Sequence, residues 1–166
     1  MRPWLRKLVL TVHLVLSIGW IGAILAYLAL DVLVGGSDTQ QAHAAYIALA
    51  FVGQWVIVPL ALSSLLTGIL IALLTPWGLF RHYWVLISLL LTTFAVLVLL
   101  EHMPGVVAVA EAMRRSDAAP LHGSLRPDFE HAGGGLAVLV VVTVLNVYKP
   151  RGLTPYGWRH RGDAKK

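Results

Sequence analysis

Cysteine is absent from this 166-residue sequence. That removes disulfides, thiolate metal sites, iron–sulfur clusters and covalently attached haem, and leaves histidine, methionine and carboxylates as candidate ligands. Charge is also scarce, at 13% of residues where soluble domains carry about a quarter. No long apolar run has an acidic or basic residue at its centre, which argues against classical transport. Without a membrane-embedded lysine, retinal chemistry is excluded. There is no internal repeat and no low-complexity segment.

What fills the sequence is apolar: 58% of residues are hydrophobic, and the mean hydropathy is +0.76. The reading is a single membrane domain, all-α, a transmembrane four-helix bundle. About 20 helical residues cross the roughly 30 Å of hydrocarbon, and four runs are long enough, at residues 8–34, 44–74, 83–109 and 132–148. They show no period-two alternation, and open sheet edges cannot face lipid. The basic start, Met1 to Lys7, is like a signal-peptide n-region, but the run behind it exceeds a signal h-region and has no clear cleavage site. It reads as a retained first span. Gly35-Gly36-Ser37-Asp38 and Thr75-Pro76-Trp77-Gly78 mark the first two turns. Pro104 marks the start of an outer loop, residues 104–130. Pro59 should bend the second span, with Ser63, Ser64 and Thr67 placed to satisfy the carbonyls it frees. Gly19, Gly22, Gly68 and Gly133-Gly134-Gly135 allow close helix contact.

The net charge of +5 is explained by its placement rather than by nucleic-acid binding. Arg2, Arg6, Lys7, Arg81, Lys149, Arg151, Arg159, Arg161, Lys165 and Lys166 fall on one side. Arg114, Arg115 and Arg126 fall on the other, with Asp31, Asp38, Glu101, Glu111, Asp117, Asp128 and Glu130. The positive-inside rule then puts both termini in the cytoplasm of a bacterial inner-membrane, multi-pass protein. Trp4, Trp77, Phe80, Tyr83, Trp84, Tyr148, Tyr156 and Trp158 fit an inner aromatic belt. The basic tail, residues 149–166, reads as an anchor lying on anionic headgroups.

The candidate chemistry lies with the seven histidines. Counting 1.5 Å per residue from the inner boundaries puts His102 about 27 Å up the third span and His131 about 25 Å up the fourth. The two are level neighbours on consecutive antiparallel helices. Gln54 and Trp55 reach a similar height, His43 lies beyond it, His13 is only about 7 Å above the inner boundary, and His82 lies near the inner surface. His122 belongs to the outer loop and His160 to the tail. Val98, Ala95, Leu91 and Ser88 share a face with His102; Gly135 and Val138 share one with His131, and Gly134 lies one position off.

Three readings stand open for the outer pair. In the first, His102 and His131 ligate a haem b whose propionates reach Arg114, Arg115 or Arg126, for electron transfer or haem handling. The loop after Pro104 would cover that cofactor, and a quinone or redox protein would be its partner. In the second, His102 and His131 hold copper or zinc with Glu101 or Glu130 as the carboxylate ligand. In the third, the four spans form a non-catalytic subunit that binds a partner or a second copy of itself, and the histidines bond to the loop or each other. His13 shares its face with Ser17 and Trp20. It reads either as a bond to a neighbouring helix or as a ligand of a second, inner cofactor. No catalytic residue is assigned.

The stretches His13–Trp20, Thr75–Trp84 and Val147–Trp158 resemble a family of small, uncharacterised four-span bacterial membrane proteins. The resemblance covers most of the chain and implies the fold and location, but no activity. The spacing of His13, Trp20 and Gly22 is also similar to copper-resistance-D-type membrane proteins. The four-helix plan, with histidines near helix ends, resembles transmembrane b-type cytochromes.

Overall fold

A computed structural model describes residues 3–36, 39–75, 77–115 and 129–159. The architecture is all-helical, and four helices are long and apolar enough to cross a membrane. They are α1 (Pro3–Gly36), a second span made of α2 (Thr39–Val52), a π-helical turn (Gly53–Ile57) and α3 (Val58–Leu74), then α4 (Tyr83–Arg115) and α5 (Phe129–Tyr148). A short α6 (Pro155–Arg159) follows.

Helix α1 is apolar all round, so its seam is set by which face meets neighbours. Trp20, Ile24, Tyr27, Asp31 and Val34 recur at steps of four, three, four and three, and all are buried. This is the stripe that packs into a bundle. Lower on the same helix, Ser17 Oγ lies 2.8 Å from Ser64 Oγ, and His13 Nδ1 lies 3.0 Å from Thr67 Oγ1 on α3. Thr67 donates its own proton to the Ser63 carbonyl at 2.7 Å, so it accepts from His13. Interhelical polar contacts of this kind stabilise membrane bundles by about 0.6–2 kcal/mol each.

Glycine has a direct part where α1 meets α3. A Cβ on Gly68 would stand 3.2 Å from His13 Cε1, and one on Gly19 would stand 3.6 Å from Leu60. At Gly22, Gly133 and Gly134 a Cβ would meet nothing within 4 Å, so these do not mark close helix approach.

Pro59 disturbs the second span as expected, though other groups compensate for it, and Pro104 departs from the expectation. Pro59 lacks the N–H that would bond the Trp55 carbonyl, and its ring crowds that carbonyl. The chain responds on the N-terminal side, where Val58 N–H reaches back to the Gly53 carbonyl and opens one π turn. Ser64 and Thr67 instead serve the α1 contact. Pro104 does not begin a loop: α4 runs through it to Arg115, with the proline on the exposed face and Met103, Val106, Ala110 and Met113 buried. Residues 104–115 are therefore helix, and 116–128 lie outside the described residues. At 1.5 Å per residue, α4 is about 50 Å long and α5 about 30 Å, so α4 is about 20 Å longer than the hydrocarbon is thick. Its C-terminal half packs on α2 through Ala50, Met103, Val106 and Ala110.

Helix α5 is the most loosely held span, with Leu139 its one buried side chain. Asn146 ties its lower end to α4, donating to Ser88 Oγ at 3.3 Å. Beyond it, Lys149 turns the chain with φ 45°, and the tail folds back on the loop between α3 and α4. His82 and Leu153 form an antiparallel bridge. Tyr83 N–H bonds the Gly152 carbonyl at 3.3 Å, and Thr154 N–H bonds the Arg81 carbonyl at 3.0 Å. Thr154 Oγ1 donates to the Phe80 carbonyl and accepts Gly157 N–H at 3.1 Å. Gly157 seats directly on the Arg81 carbonyl, where no side chain fits. Of the aromatic belt, Trp84 is the exception: it is buried with Ala72 and Val85, its ring 5.5 Å from Trp77.

Candidate functional site

The two histidines assigned to one depth are brought into contact. The rings of His102 and His131 stack with centroids 4.1 Å apart and planes 17° apart. His102 is half-buried with a shielded Nε2, whereas His131 is exposed at the first turn of α5.

Beneath the pair is a chamber of about 280 Å³ between α1, the second span, α4 and α5. Its walls include Ile24, Ile57, Val98, Leu99 and Val138, with Trp20, Tyr27 and Phe94 as aromatic surfaces. Ala95, Ala132, Gly134 and Gly135 leave the space open. Small-molecule sites run from about 300 to 1,000 Å³, mostly apolar with a few convergent polar groups. This chamber is at the small end and has that composition. Phe94, Glu130, His131 and Gly134 are lining residues that are also exposed, so its mouth lies along the α4–α5 seam.

Two local features shape the floor. The π turn at Gly53–Ile57 aims Ile57 into the chamber and buries Gly53 under Met103. A Cβ on Gly53 would stand 2.6 Å from Met103 Cε and 2.8 Å from its sulfur, so the thioether fills the space a side chain would take. Trp20 is 3% exposed, and its indole Nε1–H has no hydrogen-bond partner among the described residues. A buried donor without a partner costs about 1–3 kcal/mol. Such a donor beside a chamber is a natural point for a bound acceptor.

The remaining sequence candidates separate. Glu130 lines the chamber; Glu101 is exposed and does not. Arg114 and Arg115 are exposed at the end of α4, three turns beyond His102, and Arg115 pairs with Glu111 at 3.4 Å. Arg126 and His122 lie outside the described residues. Gln54 and Trp55 do not line the chamber, and Trp55 is 68% exposed. His13 is held by Thr67 on the α1–α3 seam and does not line the chamber. His82 donates within its own loop, from Nδ1 to the Trp77 carbonyl at 2.8 Å.

Sequence reasoning passed over three residues that the structure puts in or beside the site. Met103, Trp20 and Tyr27 line it, and the steps of the α1 stripe already carried the last two. Asp31, assigned to the outer side by charge alone, is 1% exposed and lies one turn beyond Tyr27. Its place in the same stripe was the available signal.

Metal ligation has a sparse donor set, since no group of three or more His, Asp or Glu suited to an ion occurs among the described residues. Trans ligation of iron by both imidazoles needs ring centroids about 6 Å apart, from metal–nitrogen bonds of about 2.0 Å plus each ring's radius. At 4.1 Å the stacked rings are too close for a macrocycle between them, so that mode needs the pair to part. The fold and site thus define a multi-pass, four-helix membrane protein with an apolar chamber capped by paired imidazoles. Comparisons with protein families, with characterised proteins and with solved structures find no match.

Proposed function

We propose that this protein is a small membrane-embedded binding protein whose chamber takes a flat, largely apolar molecule, with His102 and His131 meeting its polar edge. The observation that carries this is the imidazole pair at the mouth of an apolar chamber opening along a helix seam. The walls supply affinity through buried apolar area, at about 25 cal/mol per Å², and the polar groups orient the ligand. In this reading the bound molecule is redox-active: haem b, held after the histidines part, or a lipid-soluble quinone that exchanges with it. The protein then works in electron transfer or haem handling. Both termini face the cytoplasm of a bacterial inner membrane, as the distribution of Lys and Arg supports.

A second reading, copper or zinc held by His102 and His131, is favoured by one observation: Glu130 lines the same chamber and offers a carboxylate.

The test is to purify the protein in mild detergent, record the visible spectrum before and after dithionite, and extract bound small molecules for mass spectrometry. A Soret band with sharp reduced α and β bands, lost in both His102→Ala and His131→Ala, supports haem. A colourless protein yielding a stoichiometric flat apolar compound, depleted in the same variants, supports the exchangeable ligand. Stoichiometric copper or zinc without either signal moves the function to the metal. An empty protein in all three assays refutes the binding function and leaves a partner-binding subunit.

A further inference from the structure

The end of the bundle that carries the tail is built from two segments about 70 residues apart in sequence. The loop, residues 75–83, contributes Arg81, and the tail, residues 149–159, contributes Lys149, Arg151 and Arg159. Neither segment contains an acidic residue. The His82–Leu153 bridge and the Thr154 hydrogen bonds pin their backbones together, so the positions that carry these cations lie on two clipped segments that hold no acid of their own. Lys149, Arg151 and Arg159 are exposed, and Arg81 is half-exposed.

Aromatic side chains surround these cations. Lys149 Nζ lies 5.7 Å over the Trp77 ring, which fixes an otherwise mobile ammonium. Tyr83, Tyr148, Tyr156 and Trp158 are each 48% exposed or more. Rings of this kind settle at headgroup depth, so the cations come to rest at the level of lipid phosphates.

We propose that the clipped loop and tail form a binding site for the phosphate of an anionic lipid, with Arg81 and Arg151 as its principal cations. Each basic residue near an anionic surface contributes about a fivefold gain in retention. A folded site adds to this the entropy saved by holding the cations in advance. The clip itself is therefore part of the site, and charge alone does not account for it.

The experiment uses the full chain in neutral detergent, read by native mass spectrometry during titration with phosphatidylglycerol, phosphatidylcholine or inorganic phosphate. Retention of phosphatidylglycerol over phosphatidylcholine by tenfold or more is expected. Arg81→Gln with Arg151→Gln should reduce it about 25-fold. Arg114→Gln with Arg115→Gln removes the same charge from the opposite end and should leave it unchanged. Thr154→Val keeps every charge but loosens the clip, and should also lower retention. Equal retention of the two lipids overturns the proposal, as does equal loss in both double variants. Unchanged retention in Thr154→Val overturns the built site, and inorganic phosphate binding as tightly as the lipid overturns the lipid assignment.

Discussion

Replacing Gly53 by Ala sets two opposed effects against each other. Alanine is about 1 kcal/mol better than glycine inside a helix, which favours the variant. Against this, the new methyl would meet Met103 Cε at 2.6 Å and its sulfur at 2.8 Å, where ordinary contacts begin near 3.4 Å. The thioether must withdraw by close to 1 Å or swing to another rotamer. Overpacking costs about 1–3 kcal/mol, and the flexibility of methionine keeps this case in the lower half of that range. The net expectation is a loss of up to about 1 kcal/mol. Met103 also lines the chamber, so its displaced methyl has that space to move into, and ligand occupancy should fall more than stability does. The assay is a double-mutant cycle of Gly53→Ala and Met103→Ala, read by reversible unfolding in mixed micelles. With the methionine truncated, the propensity gain should appear without the clash, giving a favourable coupling of about 1–2 kcal/mol. Additive effects, or stabilisation by Gly53→Ala in the intact protein, would refute the account of Met103 as the group that fills the glycine's space.

Other substitutions probe other parts of the fold. Thr67→Val removes the acceptor for His13 and should cost about 0.6–2 kcal/mol by the same unfolding assay, with the chamber's ligand unaffected. Asp31→Leu should destabilise more than Asp31→Asn, because asparagine keeps the polar contacts of a buried site that leucine abandons at about 1–3 kcal/mol. Trp20→Phe sets the removal of a buried donor lacking a partner, worth about 1–3 kcal/mol, against the cavity that the lost ring leaves in the core, so the net change in the ligand-free protein should be small. A loss of stability above about 3 kcal/mol would exceed the cavity cost and show that the indole nitrogen is satisfied.

The number and type of spans were legible because apolar run length is set by bilayer thickness. The meeting of His102 and His131 was legible by counting helical rise on two helices joined in sequence. Pro104 misled because a single missing N–H on an exposed face does not outweigh the burial of Met103, Val106 and Ala110 just beside and beyond it. Pro59 was recognised as a disturbance, but which carbonyls adjust depends on packing between spans. The π turn left no mark of its own in the sequence. The Met103–Gly53 contact is similarly invisible, because it joins residues 50 positions apart. Charge sorting placed Asp31 by side alone and was silent on its burial, which its register with Trp20, Ile24 and Tyr27 carried.

The thin attachment of α5 has a consequence for traffic. Only 6% of its most apolar window is buried, against 28% for α4, and it forms one wall of the chamber. Local opening takes the least free energy where the fewest contacts are lost. If the chamber takes a ligand as proposed, parting of α5 from α4, held at one end by the Asn146–Ser88 contact, is the entry that gives up the fewest contacts. A guest using it would be drawn from the membrane's own dissolved pool, and its supply would follow solubility in the bilayer rather than concentration in water.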